Sequence, residues 1–200
     1  MQKKYGRSCE IKYIFIYLRY INIMSKVYVK KPKPRLSSGG ISRYSGLNKY
    51  ESFQLEVKCL QLLEQHYVCT CGHGVSNYHF PRIIDTDKGQ LRITMTWAGE
   101  TIKDLIDKHT PFTIPDKDKQ INCIFDNLQR AGVYHIDMHT SGKNLCLANK
   151  ETLALIDFDI ARYRVDDKLK PSNFQIKKRA SSYKHPSYRG VCLEKIRQII

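Results

Sequence analysis

Acid is nearly missing from both ends of this 200-residue chain. Residues 1–50 hold a single acidic residue, Glu10, against 12 Lys or Arg, a local charge of 12 − 1 = +11. Residues 161–200 hold three, Asp166, Asp167 and Glu194, against 11 Lys or Arg, or +8. The whole chain carries +15, so residues 51–160 sum to 15 − 11 − 8 = −4. Two readings of the basic ends stay open: phosphate-bearing partners such as nucleotide, nucleic acid or anionic lipid, or simply solvated termini. Long apolar runs are also missing. The most apolar stretch, Ile11 to Met24, is interrupted by Lys12 and Arg19 and falls short of the ~20 residues a spanning helix needs. No small-residue cleavage site follows it, which argues against a signal peptide. Residues 1–23 therefore form an N-terminal extension of open character: an upstream stretch of reading frame, an added strand pair or a surface helix.

Paired cysteine spacing is lacking as well. The seven Cys (9, 59, 69, 71, 123, 146, 192) are odd in number and scattered. Several lie in apolar runs (KCLQLL, NCIF, NLCLA), where Cys acts as a small buried hydrophobe. This fits a reducing, intracellular setting better than a disulfide scaffold. The stretch CTCGHGVSNYH brings Cys69 and Cys71 near His73 and His79. Structural zinc sites usually separate their first pair by two to four residues, whereas one separates this pair. The stretch is expected to be a Gly-containing loop with incidental Cys. No internal repeat is present. What is there suits a folded domain: 42% hydrophobic residues, with 13 Tyr and 7 Phe, are too many for a disordered chain.

The pattern predicts mixed helices and strands. SKVYVKK (25–31) alternates and reads as a strand, and the Pro, Ser and Gly of residues 32–46 read as loop. YESFQLEVKCLQLLEQ (50–65) sets Phe53, Val57, Leu60 and Leu62/Leu63 at helical spacing. PRIIDTD and QLRITMTWAG read as two strands around an Asp-Lys-Gly turn, and ETIKDLIDKH as a short helix. Residues 114–132 read as a second long helix, with Asp116 as N-cap and Gly132 as its stop. VYHI is strand-like. NLCLA and LALID are two short apolar strands around NKET. From Arg162 the chain reads as a polar, basic tail, with a final piece, VCLEKIRQII, at helical spacing.

Polar groups suited to phosphoryl transfer cluster in YHIDMHTSGKNLCLANKETLALIDFDIA. That chemistry needs a carboxylate near the attacking hydroxyl, hard oxygen ligands for Mg²⁺ and a cation on the phosphates. Asp137 is the candidate at the hydroxyl. Asn144 and Asp157, on opposite arms of the predicted hairpin, are the candidate Mg²⁺ ligands. His135 reads as structural, holding the loop backbone. His139 and Lys143 lie within reach of a phosphate or in solvent.

These residues resemble the protein-kinase-like superfamily. His135-Ile136-Asp137 is similar to H-R-D, with Ile in place of Arg, and Ile156-Asp157-Phe158-Asp159 is similar to the approach to D-F-G, with Asp159 in place of Gly. The Asn144-to-Asp157 spacing is the family's, whereas the Asp137-to-Asn144 interval is two residues longer. Phe53 to Leu63 resembles the αC helix, with Glu56 as its ion-pairing Glu. Val27-Tyr28-Val29-Lys30 resembles V-A-I-K, making Lys30 the phosphate-binding Lys. The hinge whose backbone meets adenine would lie near Thr96, Trp97 and Gly99. No G-x-G-x-x-G precedes Lys30. SSGG, with Gly39 and Gly40, is similar to a displaced phosphate loop, and Lys31, Lys33 or Arg43 are alternative cations. There is no A-P-E, and only 38 residues follow Arg162. This resembles compact kinases of the RIO and lipopolysaccharide-kinase types.

The resemblance, over residues 25–165, implies an α+β, two-lobed kinase-like fold. Residues 24–99 would form a reduced N-lobe and 100–165 a minimal C-lobe, with 166–200 as basic tail. It implies an ATP- and Mg²⁺-dependent kinase acting on Ser/Thr of a protein substrate. Other readings are a pseudokinase working as a nucleotide- or partner-binding module, a small-molecule kinase, and a basic protein contacting nucleic acid or an acidic partner through its ends. The tail sequence KKRASS resembles a basic-directed phosphorylation site.

Overall fold

The chain folds as an α+β structure of small antiparallel sheets and helices, seen in a computed structural model that describes residues 27–31, 47–75, 78–137, 141–166, 168–170, 194 and 196–200. The expectations for residues 1–23, for the glycines of SSGG, for Lys33, Arg43 and His139, and for KKRASS lie outside these residues.

The first sheet has order β1-β3-β2. Strand β1 (Val27–Lys30) pairs antiparallel with β3 (Arg92–Thr96), which pairs with β2 (Ile83–Asp87). The register sets Lys30 opposite Ile93 and Val27 opposite Thr96. Ile93 and Met95, two apart on β3, point to one side and are buried there, as a strand period of two requires. Helix α1 (Lys49–Gln65) begins at Asn48 with a capping box. The Asn48 side chain accepts from the Glu51 amide, and the Glu51 carboxylate accepts from the Asn48 amide. Two of the free N–H groups at the helix start are satisfied this way. The helix buries Phe53, Leu60 and Leu63 in the core, and Glu56 with them.

The second sheet has order β4-β6-β7. Strand β4 (Glu100–Thr101) leads straight into helix α2 (Ile102–Asp107), whose cap is the Thr101 hydroxyl accepting from the Asp104 amide. Strands β6 (Leu145–Ala148) and β7 (Thr152–Leu155) form the expected hairpin around the NKET turn, and all eight of their residues are buried. Between α2 and this hairpin runs helix α3 (Lys117–Arg130), packing Ile121, Ile124 and Leu128. Gln120, fully buried on α3, ties helix to hairpin. Its amide donates to the carbonyls of Pro115 and Glu151 and accepts from the Leu153 amide. One continuous core contains α1, α3, the hairpin, Phe158 and Ile196. Each such Leu, Ile or Phe contributes roughly 1.5–3 kcal/mol by leaving water.

Two expectations need correction. Asp116 does precede α3, but its backbone is left-handed (φ 45°) and its side chain makes no cap bond. The carboxylate is taken instead by His73, at 3.2 Å, and Lys119, at 3.1 Å. The polar, basic segment read as tail from Arg162 also starts as strand. Strands β8 (Arg162–Val165) and β9 (Lys168–Lys170) continue a third sheet from β5 (Val133–Tyr134), in the order β5-β8-β9. Strands β8 and β9 both alternate basic and apolar residues (RYRV, KLK), but at four and three residues they are too short for that alternation to mark a strand. The closing segment VCLEKIRQII is helical at residues 194 and 196–199, with Ile196 buried.

Candidate functional site

Lys30, Glu56 and Asp157 come from three separate elements and meet. Lys30 ends β1, Glu56 projects from the middle of α1, and Asp157 follows β7. The Lys30 ammonium lies 2.8 and 2.7 Å from the two oxygens of Glu56 and 2.6 Å from Asp157 Oδ1. Glu56 is almost fully buried and Lys30 largely so. Burial alone would favour the neutral amine. The carboxylates of Glu56 and then Asp157 outweigh it and hold the Lys30 pKa above the ordinary lysine value, since an opposite charge at this range stabilises the charged form. Glu56 Oε1 also accepts from the Phe158 amide at 3.3 Å. One side chain thus joins β1, α1 and the Asp-Phe-Asp segment.

Phe158 anchors that segment. It is fully buried, edge-on to Phe80 (6.1 Å) and to His135 (4.9 Å). Asp157 carries φ 70°, a left-handed backbone that a non-glycine residue adopts at a cost. Asp159 lines the small cavity beside Lys30, Ser52, Phe53, Glu56 and Ile93, adding a second carboxylate after Asp157.

His135 is buried, and its Nε2 donates to the Ile156 carbonyl at 2.8 Å, the structural role expected of it. The Ile156 amide in turn donates to the Asn144 carbonyl at 3.0 Å. With Leu145 opposite Leu155 in the hairpin register, this sets Asn144 and Asp157 at the same end of the hairpin. Asn144 is buried. Its amide nitrogen donates to the backbone carbonyl of Asp137 at 2.7 Å and to its carboxylate at 3.1 Å. The Lys143 ammonium lies 3.5 Å from the same carboxylate. The long interval therefore does not carry Asn144 away from Asp137, because its two ends are clamped together by the side chain of one and the backbone and carboxylate of the other.

The expected adenine contacts are partly engaged elsewhere. The Thr96 amide donates to the Arg82 carbonyl, and the Thr96 hydroxyl accepts from the Arg82 amide, both at 2.9 Å. Trp97 is exposed, its ring 6.1 Å from Tyr28. Gly99 has φ +96°, and a Cβ there would sit 2.2 Å from the Leu147 carbonyl oxygen, so the turn into β4 requires glycine. Gly39 and Gly40 lie outside the described residues.

Sequence reasoning missed Gln120 and Asn127. Both are buried polar residues on an otherwise apolar helix face, and that mismatch was the available signal. Asn127 brackets Val68, accepting from its amide at 2.8 Å and donating to its carbonyl at 2.9 Å. The chain matches no protein-family model and no curated protein. Among the described residues no helix is long and apolar enough to cross a membrane.

Proposed function

We propose that this chain is an ATP- and Mg²⁺-dependent phosphotransferase with a divergent protein-kinase-like, two-lobed fold, acting on Ser or Thr hydroxyls of a protein. The observation that carries the reading is the convergence of Lys30, Glu56 and Asp157, residues 26 and 127 positions apart, beside the Asn144–Asp137 pair.

The donor set fits the proposed cofactors. Asp157 offers a carboxylate. Asn144, its amide nitrogen committed to Asp137, offers its amide oxygen, and both are hard ligands suited to Mg²⁺. Bound Mg²⁺ would neutralise charge on the phosphates of ATP. Lys30 carries a fixed cation, and Glu56 holds it in position. Asp137, steered by Asn144 and Lys143, would face the acceptor hydroxyl and take its proton as the γ-phosphoryl group leaves ADP for the hydroxyl oxygen.

The test is transfer from radiolabelled ATP with Mg²⁺ to a generic basic protein substrate. The wild type should transfer phosphate, and Asp137→Asn and Asp157→Asn should reduce the rate at least a hundredfold, about 2.7 kcal/mol of barrier. Equal rates in wild type and variants would overturn the reading. One observation favours a second reading, a pseudokinase that binds nucleotide or a partner: Asp157 already spends one oxygen on Lys30. Nucleotide binding without transfer would select it, whereas transfer to a metabolite and not to protein would select a small-molecule kinase.

A further inference from the structure

The stretch that reads as a loop with incidental cysteines acquires a fourth member in three dimensions. Cys69 and Cys71 lie in the loop after α1, and His79 lies just before β2. Cys123 comes from α3, more than fifty residues from the two loop cysteines, and the ligand atoms of all four lie within 4.8 Å of one another. We infer that Cys69, Cys71, His79 and Cys123 form a structural zinc site.

Four observations carry this, and none depends on the phosphotransferase reading. The first is spacing. Two sulfurs each about 2.3 Å from a tetrahedral zinc stand about 3.8 Å apart; Cys69 and Cys71 Sγ are 3.8 Å apart, and Cys71 Sγ is 3.1 Å from His79 Nε2. The second is the orientation of the imidazole. His79 is fully buried, and its Nδ1 lies 2.6 Å from the Leu153 carbonyl oxygen. With Nδ1–H donating there, the Nε2 lone pair faces the three sulfurs, the usual arrangement behind a zinc-bound histidine. The third is support for a thiolate. The Thr70 amide donates to Cys123 Sγ at 3.4 Å, and the Asn127 amide nitrogen, whose shorter bonds go to the carbonyls of Cys123 (2.8 Å) and Val68 (2.9 Å), adds its partial positive charge 3.6 Å from the same sulfur. The fourth is the ligand set itself. Three thiolates and an imidazole select zinc over Mg²⁺ or Ca²⁺, and four protein ligands close the coordination sphere, as in structural sites.

The single residue between Cys69 and Cys71 counts against zinc only if all ligands come from one knuckle. Here the sphere is completed across the fold, and His73, the neighbour in sequence, is turned to Asp116. Cys59 and Cys146, buried in the core, belong to no such group among the described residues. The site would fasten α1's trailing loop and the entry to β2 onto α3, where Asn127 already clamps Val68.

Metal analysis of the full chain, purified without chelator, tests this. The expected result is one zinc per chain, retained by His73→Gln and Cys146→Ser and lost from Cys71→Ser and Cys123→Ser. Because losing a ligand can unfold the chain, a second measurement uses the wild type. Stripping the metal should lower the melting temperature, Zn²⁺ but not Mg²⁺ should restore it, and Co²⁺ in its place should give the absorption of a tetrahedral thiolate site. Zinc content unchanged in Cys71→Ser and Cys123→Ser would overturn the inference. So would folded wild type that takes up neither Zn²⁺ nor Co²⁺, or a Cys69–Cys71 disulfide in the native protein.

Discussion

Lys30 and Glu56 depend on each other in a way that separates stability from activity. Removing only the ammonium leaves the Glu56 carboxylate buried among Phe53, Ile93 and Phe158 without its cation. Lys30→Met should therefore cost on the order of 3 kcal/mol, read by urea unfolding. The double variant Lys30→Met/Glu56→Leu places apolar groups where the pair stood and should recover most of that loss, yet remain inactive in phosphate transfer. A double variant no more stable than the single one would mean that the pair is not the buried unit described.

His135 makes a second residue-scale prediction. Burial holds its pKa below the ordinary histidine value, although the Ile156 carbonyl and then the Asp157 and Asp137 carboxylates pull it up. The folded state thus takes up the proton less readily than the unfolded state. The neutral ring's contribution is present above about pH 6.5 and is lost as pH falls from there through the folded-state value. Wild type should lose more stability than His135→Gln between pH 7 and pH 5. Parallel curves for the two would sink the assignment.

At the scale of elements, the helix starts and strand connections make separate contributions. Asn48→Ala removes one arm of the α1 capping box and should cost about 1 kcal/mol. Gln120→Leu should cost more, on the order of 3 kcal/mol, because it strands the Pro115 and Glu151 carbonyls and the Leu153 amide. Thermal unfolding of the two variants side by side checks the order. Helix α1 was legible because Phe53, Leu60 and Leu63 recur at helical spacing, and the β6–β7 hairpin because apolar runs flank NKET. Strands β8 and β9 were not legible. RYRV and KLK do alternate basic and apolar residues, but runs of four and three residues are too short to separate a strand from a charged loop; pairing of β8 with Val133 and Tyr134, and of β9 with β8, makes them strands. Asp116 shows the reverse error. The residue type suits a cap, but His73 and Lys119 compete for its carboxylate and win.

On the whole molecule, Mg²⁺–ATP should act as a ligand of the native state alone. At a hundredfold excess over its dissociation constant it should stabilise the fold by about 2.7 kcal/mol, measured as a melting shift. Asp157→Asn should abolish the part of the shift that requires Mg²⁺. A wild type indifferent to Mg²⁺–ATP would remove the nucleotide from the proposal. By itself, the sequence determined the helices, most strands, and the residue types from which a phosphate site can be built. These follow from periodicity and turn chemistry, which are local. Which groups meet was decided only by tertiary structure. Packing α1 against the first sheet and the hairpin carries Glu56 to Lys30 and Asp157. Packing α3 against the loop after α1 carries Cys123 to Cys69, Cys71 and His79. Distances across 26, 54 or 127 positions depend on how the shared core closes, and no local spacing encodes that.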